Sequence, residues 1–239
     1  MRIAAVVPAY NEVHSIRLVV NELKAVASEN NLAITVVVVN DCSTDGTGAL
    51  ADQLPCLALH LPVNLGIGGA VQTGFRYALE NNFDYAIQID GDGQHPATEI
   101  PKLVETAEKN KLDVTIGSRF LDREGFQSSG LRRTGINYFS WLIFLLTGIR
   151  VMDTTSGFRL LNRKGLLLVN DYYPDEYPEP EAIVLFARQK LTIGEVAVKM
   201  RERLGGTSSI GFRKSIYYIW KVTLACVFTR IRRLDNPGR

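Results

Sequence analysis

The sequence predicts an α/β fold, a single domain in which a mostly parallel β-sheet lies between layers of helices. In the first half of the chain, short apolar runs alternate about four times with segments of helical periodicity. This alternation implies right-handed crossovers between parallel strands. A group of polar residues follows each of these apolar runs. Because ligands of such sheets bind outside the carboxyl ends of the strands, we expect these polar groups to meet in one crevice.

The individual elements are predicted from periodicity and from residues that start helices. Residues 3–7 form a continuous apolar run, which is typical of a strand covered on both faces. A helix over residues 13–27 follows, because Ile16, Val19 and Leu23 recur at helical spacing. Residues 34–39 are the second strand, and the cap-forming residues after Asp41 precede a short helix. The later strands are predicted at residues 56–61, 86–89, 114–117 and 193–198, and the later helices at residues 70–79, 98–109 and 182–190.

Composition limits the classes of function. The 239 residues carry a net charge of +2, which gives no case for nucleic-acid binding. The three cysteines have neither the spacing of a metal site nor that of a disulfide framework, which favours a reducing compartment. The first apolar run is shorter than that of a signal peptide, and no segment reaches the ~20 apolar residues of a spanning helix. We therefore expect a cytoplasmic protein.

Two carboxylates and an amide follow the strand predicted at residues 86–89. Asp90 and Asp92 are two residues apart, so they can point to the same side where the strand ends. Two carboxylates held this close repel each other unless a cation lies between them. Gln94 adds a third oxygen ligand, and oxygen ligands suit Mg²⁺ or Mn²⁺, whose remaining positions often hold substrate phosphates. The alternative is a solvated Asp-Gly turn, which is common after a strand.

A glycine-rich segment follows the third strand, with glycines at positions 66, 68 and 69. Its spacing differs from the dinucleotide-binding pattern, and it follows the third strand rather than the first. A nicotinamide or flavin site is therefore not expected. We favour close helix packing or a tight turn over direct contact with phosphate.

Five sequence motifs together resemble one known family. They are Pro-Ala-Tyr-Asn-Glu at residues 8–12, Asp41, Asp-Gly-Asp-Gly-Gln-His-Pro at 90–96, Gly-Ser-Arg-Phe at 117–120 and Asp-Thr-Thr-Ser-Gly-Phe-Arg at 153–159. The set is similar to family 2 inverting glycosyltransferases of the GT-A fold, which has a Rossmann-like sheet. Within that family it resembles the branch of dolichol-phosphate mannose synthases and bacterial undecaprenyl-phosphate glycosyltransferases.

The resemblance implies a nucleotide-sugar donor, a polyprenyl phosphate acceptor, a Mg²⁺ or Mn²⁺ cofactor and a role in cell-envelope polysaccharide synthesis. Asp90, Asp92 and Gln94 would hold the metal ion on the donor diphosphate, and Arg119 would contact the diphosphate or the acceptor phosphate. The late basic loop would bind the lipid phosphate, through Arg203 and Ser208 or, as a rival, Arg201. The residues implied for the base and ribose of the donor are Pro8, Ala9, Tyr10, Glu12 and Asp41.

The acceptor decides whether a catalytic base is needed. A lipid phosphate is already an anion and needs only positioning and cationic neighbours. A hydroxyl acceptor, on a lipid-linked or cell-wall glycan, would need a carboxylate within hydrogen-bond reach, for which Glu181 and Glu179 are the candidates. Both could equally be charges at the start of a helix. A rival of another class is an inactive nucleotide-sugar-binding regulatory subunit, against which the intact Asp90, Asp92 and Arg119 argue.

The C-terminal segment differs from the body in charge and pattern. Residues 201–239 hold nine basic residues and two acidic ones. We expect residues 1–210 to form the catalytic domain and residues 211–239 an amphipathic basic helix at a membrane interface or on a partner. Trp220 and Leu224 share the apolar face of this helix with Ile216, Ile219, Thr223, Val227 and Ile231. Residues 138–146 are a second candidate for an interfacial helix. The protein would thus be peripheral on the inner face of the cell membrane, and a small membrane-protein partner could assist it.

Overall fold

The computed structural model describes residues 1–122, 130–202 and 212–232. The described residues form one seven-stranded sheet in the order β3-β2-β1-β4-β6-β5-β7. The pairs β1–β2, β1–β4, β2–β3 and β5–β7 are parallel, whereas β6 runs antiparallel to both of its neighbours. The strands are β1 Arg2–Ala9, β2 Ala33–Asn40, β3 Leu57–His60, β4 Tyr85–Gln88, β5 Val114–Ser118, β6 Arg159–Asn162 and β7 Ile193–Ala197.

Helices cover both faces of this sheet. They are α1 Ile16–Glu29, α2 Thr47–Ala51, α3 Gly66–Glu80, α4 Ile100–Asn110, α5 Gly130–Thr147, α6 Arg163–Asp171, α7 Pro178–Arg188 and α8 Phe212–Ile231. The helix predicted at residues 98–109 begins two residues later than expected, because a short 3-10 turn, Ala97–Glu99, precedes α4.

The sheet separates two hydrophobic cores. Along β1, Ala4 and Val6 enter the core shared with α3, α5, α6, α7 and α8. The alternating residues Ile3, Ala5 and Val7 enter the core shared with α1, α2 and α4. A strand buried on both faces needs apolar residues at every position, which explains the unbroken apolar run at the start of the chain. The mostly parallel α/β sandwich predicted from the sequence is therefore confirmed.

Two elements of the second half were not predicted. The short strand β6 begins at Arg159 and is inserted between β4 and β5. Helix α6 follows directly, and the side chain of Asn162 caps it by accepting hydrogen bonds from the backbone N–H groups of Lys164 and Gly165. Because β6 is antiparallel, Arg159 lies at the edge of the sheet where the parallel strands end.

Helix α8 packs against α5 and α7. Val222 and Cys226 of α8 are buried in the core, at 2% and 0% exposure. The C-terminal helix is therefore joined to the body along one side. Whether residue 210 marks a domain boundary stays a prediction.

Candidate active site

The ends of β1, β2 and β4 meet at one edge of the sheet. The backbone N–H of Asp41 donates to the carbonyl of Ala9 at 2.9 Å, which joins the exits of β1 and β2. Gly91 lies against the exit of β1, since a Cβ atom added to it would be 3.0 Å from the carbonyl oxygen of Pro8 and 3.5 Å from Cγ of Glu12. The polar groups predicted to share a crevice are thus brought together.

The loop after β1 is held by the loop after β2. Asn11 has a left-handed backbone, with φ of 57°, and its side-chain oxygen accepts the backbone N–H of Thr44 at 2.9 Å. The backbone N–H of Glu12 donates to the hydroxyl of Thr47 at 2.8 Å, while its carboxylate accepts from the hydroxyl of Ser15 at 2.7 Å. Tyr10 stays 49% exposed at the rim. This loop therefore offers an exposed aromatic ring beside a fixed carboxylate.

Asp41 and the glycine-rich segment form one unit. The carboxylate of Asp41 accepts the backbone N–H groups of Leu65 at 2.7 Å and Gly66 at 2.9 Å, at the start of α3. Gly66 has a φ of 76°, and Gly68 approaches the carbonyls that precede α7 so closely that a Cβ atom would lie 2.1 Å from the oxygen of Pro174. A tight turn and close packing account for these glycines, as the sequence indicated.

The segment after β4 presents oxygen donors at the same edge. The side chain of Asp90 is 28% exposed, whereas Asp92 and Gln94 are 5% exposed. Asp92 accepts the backbone N–H of Gln94 at 2.9 Å, which closes the turn between them. His95 is buried, and its Nδ1 accepts the backbone N–H of Asp90 at 3.1 Å, so its ring stabilises this turn.

This donor set fits a hard divalent cation. Two carboxylates and one amide oxygen within five residues are the ligand types that Mg²⁺ and Mn²⁺ take. Across the described ranges, no group of three or more His, Cys, Asp or Glu side chains converges. A cation held here would therefore need further oxygens from a bound diphosphate or from water, as Mg²⁺ usually does.

A buried ion pair lies beside these donors. Arg119 is 3% exposed, and its Nε and Nη2 atoms each donate to one oxygen of Asp153 at 2.7 Å. The Asp153 backbone N–H in turn donates to Glu195 at 2.9 Å. Burial alone would lower the pKa of Arg119, but the hydrogen bonds to Asp153 and the charges of Asp90 and Glu179 outweigh it and raise the pKa. Arg119 is therefore a permanent cation within the field of Asp90.

The structure separates the two candidate bases. Glu181 accepts hydrogen bonds from the hydroxyls of Tyr172 at 2.8 Å and Thr229 at 2.6 Å, so it ties α7 to α8. Glu179 instead lies near Asp90 and Arg119: burial raises its pKa, Asp90 adds to the rise, and Arg159 and Arg119 oppose it. The placement does not support the expectation that Glu181 is the base, because its carboxylate is engaged in holding two helices together.

Arg159 and Gln88 are two buried polar residues beside these groups. Arg159 is 1% exposed and donates to the carbonyls of Ser156 and Thr154. Burial lowers its pKa, and its Nη1 has no partner among the described residues. Gln88 donates to Asp90 at 3.1 Å. The signal for Gln88 was present, as a lone amide within an apolar strand two residues before Asp90.

The basic loop expected to bind the acceptor phosphate is only partly described. Arg203 and Ser208 lie outside the described residues. Their rival Arg201 donates to Glu22 of α1 at 2.6 Å, and its backbone N–H donates to the carbonyl of Gln94 at 3.0 Å. The described chain thus enters this loop directly beside the Asp90–Gln94 segment.

Large apolar side chains are exposed on α5 and α8. The two helices are linked by a hydrogen bond between the hydroxyls of Tyr138 and Thr223 at 3.0 Å and by Arg230, which donates to the carbonyl of Leu146 at 2.8 Å. We call this surface the α5–α8 face; its members are Trp141, Phe144 and Leu145 of α5 and Trp220, Leu224, Phe228 and Ile231 of α8. No helix in the described part of the chain has the length and apolar character needed to cross a bilayer.

Comparison with known proteins agrees with this geometry. The model of glycosyl transferase family 2 matches residues 4–168. The UDP-N-acetylglucosamine–dolichyl-phosphate N-acetylglucosaminyltransferase of Methanococcus voltae is 30% identical, over 81% of this chain and 83% of that protein. The undecaprenyl-phosphate mannosyltransferase of Micrococcus luteus is 33% identical, over 66% of this chain and 65% of that protein.

Solved structures share the fold. Glucosyl-3-phosphoglycerate synthase from Mycobacterium tuberculosis, in complex with Mn²⁺, UDP and glucosyl-3-phosphoglycerate, superimposes with a TM-score of 0.69 over 98% of this chain and 81% of that chain. The sequence identity is 18%, so this likeness concerns the architecture.

Proposed function

Because the chain belongs to glycosyl transferase family 2, we propose that it is an inverting transferase that moves a sugar from a nucleotide sugar to a polyprenyl phosphate. The observation that carries the proposal is the convergence of the β1, β2 and β4 exits around Asp90, Asp92 and Gln94, with the buried cation of Arg119 beside them. The acceptors named for the relatives from Methanococcus voltae and Micrococcus luteus, both polyprenyl phosphates, support the acceptor class.

The donor nucleotide would lie over the exits of β1 and β2. Hydrogen bonds to the loop after β2 fix Ala9 and Glu12, and Pro8 precedes them. The exposed ring of Tyr10 can contact the base or ribose. Asp41 is also proposed to line this nucleotide site. Since its carboxylate already holds the backbone of Leu65 and Gly66, its contribution would be to shape the pocket as well as to contact the nucleotide.

The diphosphate would lie over the exit of β4. Asp90, Asp92 and Gln94 would hold a Mg²⁺ or Mn²⁺ ion there, and the ion would neutralise the charge that develops on the departing nucleoside diphosphate. The Mn²⁺ and UDP named for the solved structures are consistent with this use of a divalent cation.

Arg119 acts through its charge in this proposal. Its guanidinium group donates two hydrogen bonds to Asp153, so these donors are used within the protein. A fixed buried cation needs no reorganisation when negative charge develops nearby, and low local polarity strengthens its effect. The direct contacts to the acceptor phosphate are proposed for Arg203 and Ser208.

An anionic acceptor removes the need for a catalytic base. A lipid phosphate can attack the anomeric carbon from the face opposite the leaving group, which inverts that centre, without giving up a proton. A hydroxyl acceptor is the second candidate, and one observation favours it: Glu179 lies near Asp90 with a raised pKa, which is the condition of a general base.

The α5–α8 face would bring the enzyme to its lipid substrate. Its Trp, Phe and Leu side chains can enter the boundary between headgroups and acyl chains, while Arg150 and Arg230 can face anionic headgroups. We therefore propose a protein bound peripherally to the inner face of the cell membrane through this surface. A small membrane-protein partner is an alternative occupant.

One assay tests the proposed reaction. The purified protein is incubated with a panel of radiolabelled UDP- and GDP-sugars, undecaprenyl phosphate in detergent, and Mg²⁺ or Mn²⁺, and the label extracted into organic solvent is measured. We expect one sugar to be transferred, with loss of transfer in EDTA. Label that moves only to a hydroxyl-bearing glycan would favour the second candidate. If no donor is transferred or hydrolysed, the protein is a binding subunit and the proposal is wrong.

A further inference from the structure

Gln88 occupies an unusual position for an amide. It is the last residue of β4 and is 1% exposed. Its Nε2 donates to Oδ1 of Asp90 at 3.1 Å, whereas its Oε1 has no partner among the described residues. A buried polar atom without a hydrogen bond lowers stability. Gln88 is therefore poorly explained as a core residue, and its one side-chain bond is directed at Asp90.

The orientation of this bond is determined by the chemistry of the pair. An ionised carboxylate only accepts hydrogen bonds, so the amide must turn its NH₂ group towards Asp90. Strand geometry agrees, because residues 88 and 90 lie two apart and point to the same side. The Gln88 amide thus holds Oδ1 of Asp90 from the side of the sheet.

His95 restrains the other side of the same aspartate. The backbone N–H of Asp90 donates to Nδ1 of His95, so the ring of a neutral His95 carries its proton on Nε2, which faces Oδ2 of Asp90 at 3.7 Å. The ring is stacked on Phe158, with centroids 5.0 Å apart. Gln88 and a fixed imidazole therefore flank Asp90, while 28% of its side chain stays exposed towards the crevice.

Gly157 provides the space for the Gln88–Asp90 bond. A Cβ atom at this position would lie 2.6 Å from Nε2 of Gln88 and 3.2 Å from Oδ1 of Asp90. Its backbone is not left-handed, so no conformational reason requires glycine here. The requirement is for space at the point where the amide meets the carboxylate.

We propose that Gln88 is a positioning residue, which holds the Asp90 carboxylate in the orientation that binds the divalent cation of the donor diphosphate. The inference rests on the proposed function of Asp90. Partners of metal-binding side chains typically contribute about 10- to 100-fold to metal affinity. Loss of the hydrogen bond between Gln88 and Asp90 should therefore weaken cation binding, whether or not sugar transfer is measured.

The test measures binding rather than turnover. Mn²⁺ is titrated into the full chain with saturating UDP or GDP, whichever nucleotide the transfer assay identifies, and free Mn²⁺ is followed by electron paramagnetic resonance. Gln88→Met keeps the length of the side chain and removes its donor. We expect Mn²⁺ to bind at least about 10-fold more weakly. The melting temperature should be unchanged or higher, because a buried amide oxygen without a partner has been removed. Unchanged Mn²⁺ affinity in a folded Gln88→Met protein would overturn the proposal.

Two further variants approach the bond from other directions. Gly157→Ala displaces the amide without altering it and should weaken Mn²⁺ binding in the same direction. Gln88→Leu removes both the donor and the acceptor of the amide, and should weaken binding at least as much as Gln88→Met. The matched controls are Thr115→Val, which removes a buried hydroxyl without a described partner, and Gly135→Ala, where a Cβ atom meets nothing within 4 Å; both should bind Mn²⁺ as the wild type does.

Kinetics separate positioning from a general structural defect. The KM for Mn²⁺ should rise in Gln88→Met while kcat at saturating Mn²⁺ is largely retained. A fall in kcat alone, with the KM for Mn²⁺ unchanged, would contradict the proposal. Wild-type protein that binds no Mn²⁺ with either UDP or GDP would instead overturn the proposed function itself, which distinguishes the two failures.

Discussion

Removing one partner of the ion pair between Arg119 and Asp153 should cost more stability than removing one partner of an exposed ion pair. Both side chains are buried, at 3% and 0% exposure, and two side-chain hydrogen bonds of 2.7 Å join them. Asp153→Leu leaves the guanidinium buried and uncompensated, which typically costs about 3–5 kcal/mol. A domain of this size shifts its melting temperature by about 2–4 °C for each kcal/mol, so we expect a fall of about 6–20 °C.

Urea unfolding followed by circular dichroism measures the effect. The control is Asp52→Asn, which removes a pair with His60 at 3.0 Å whose side chains are 61% and 42% exposed. Exposed pairs contribute at most about 1 kcal/mol, so this variant should unfold nearly as the wild type does. If Asp153→Leu costs less than about 1 kcal/mol, the pair is not the buried and desolvated unit that the geometry indicates.

A double variant separates the ion pair from its function. Arg119→Met together with Asp153→Leu removes both charges, and such replacements are often tolerated or stabilising. We expect the double variant to be more stable than Asp153→Leu alone, although the backbone N–H of Arg119 loses its acceptor. Sugar transfer should remain low in spite of the recovered fold, because the fixed cation is gone. The reasoning would be refuted if the stability lost in the double variant equalled the sum of the losses in Asp153→Leu and Arg119→Met. A double variant with wild-type activity would refute it as well.

Three further predictions concern the metal site, pH and the membrane. Asp92→Asn should weaken Mn²⁺ binding in the presence of UDP by at least about 10-fold, measured by titration calorimetry, without loss of fold. Burial would raise the pKa of Asp113, but hydrogen bonds led by the Thr192 backbone N–H hold it below its ordinary value, so its contribution exists at neutral pH and is lost as pH falls through the folded pKa. Asp113→Asn should therefore lower the free energy of unfolding at pH 7 by about 1.5–3 kcal/mol, with a difference that shrinks below about pH 4; a constant difference would contradict this. Trp220→Glu should reduce sedimentation with anionic vesicles, whereas Leu167→Glu, which changes another exposed apolar residue on α6, should not.

A point substitution tests the membrane proposal better than removal of the C-terminal helix. Val222 and Cys226 are buried against α5 and α7, so truncation after residue 211 would expose the core as well as remove the α5–α8 face. The face predicted from helical periodicity, which includes Trp220 and Ile231, is mostly the exposed one. Helix α8 also has a buried apolar stripe, which includes Val222 and Cys226. This stripe is less evident from the sequence because its residues are smaller.

The sequence determines the parallel half of the fold most clearly. Strands covered on both faces must be apolar at every position, so β1 and β2 are evident as unbroken runs. Strand β6 is not evident, because it is four residues long and starts at Arg159, a charged residue that belongs to the crevice. A short antiparallel insertion follows neither the strand–helix alternation nor the expected composition of a buried strand.

The choice between Glu179 and Glu181 shows where sequence reasoning about the site stops. Residues two apart on a helix differ by about 200° in direction, so only one of the two can face the crevice. The direction depends on where α7 starts, and Tyr177 precedes it with a left-handed backbone, at φ of 51°. Periodicity alone does not fix that starting angle, and the contacts of Tyr172 and Thr229 decide it.

Gln88 shows the opposite situation, in which a local rule carries information about the site. Gln88 is the last residue of β4 and Asp90 lies two positions further on, so the amide and the carboxylate point to the same side. Within a strand buried on both faces, an amide lowers stability unless a neighbour uses it. The neighbour in this position is Asp90, and the space beside it is kept open by Gly157. When a polar residue occurs in an otherwise apolar strand, its role is therefore best sought in the residue that follows the end of that strand.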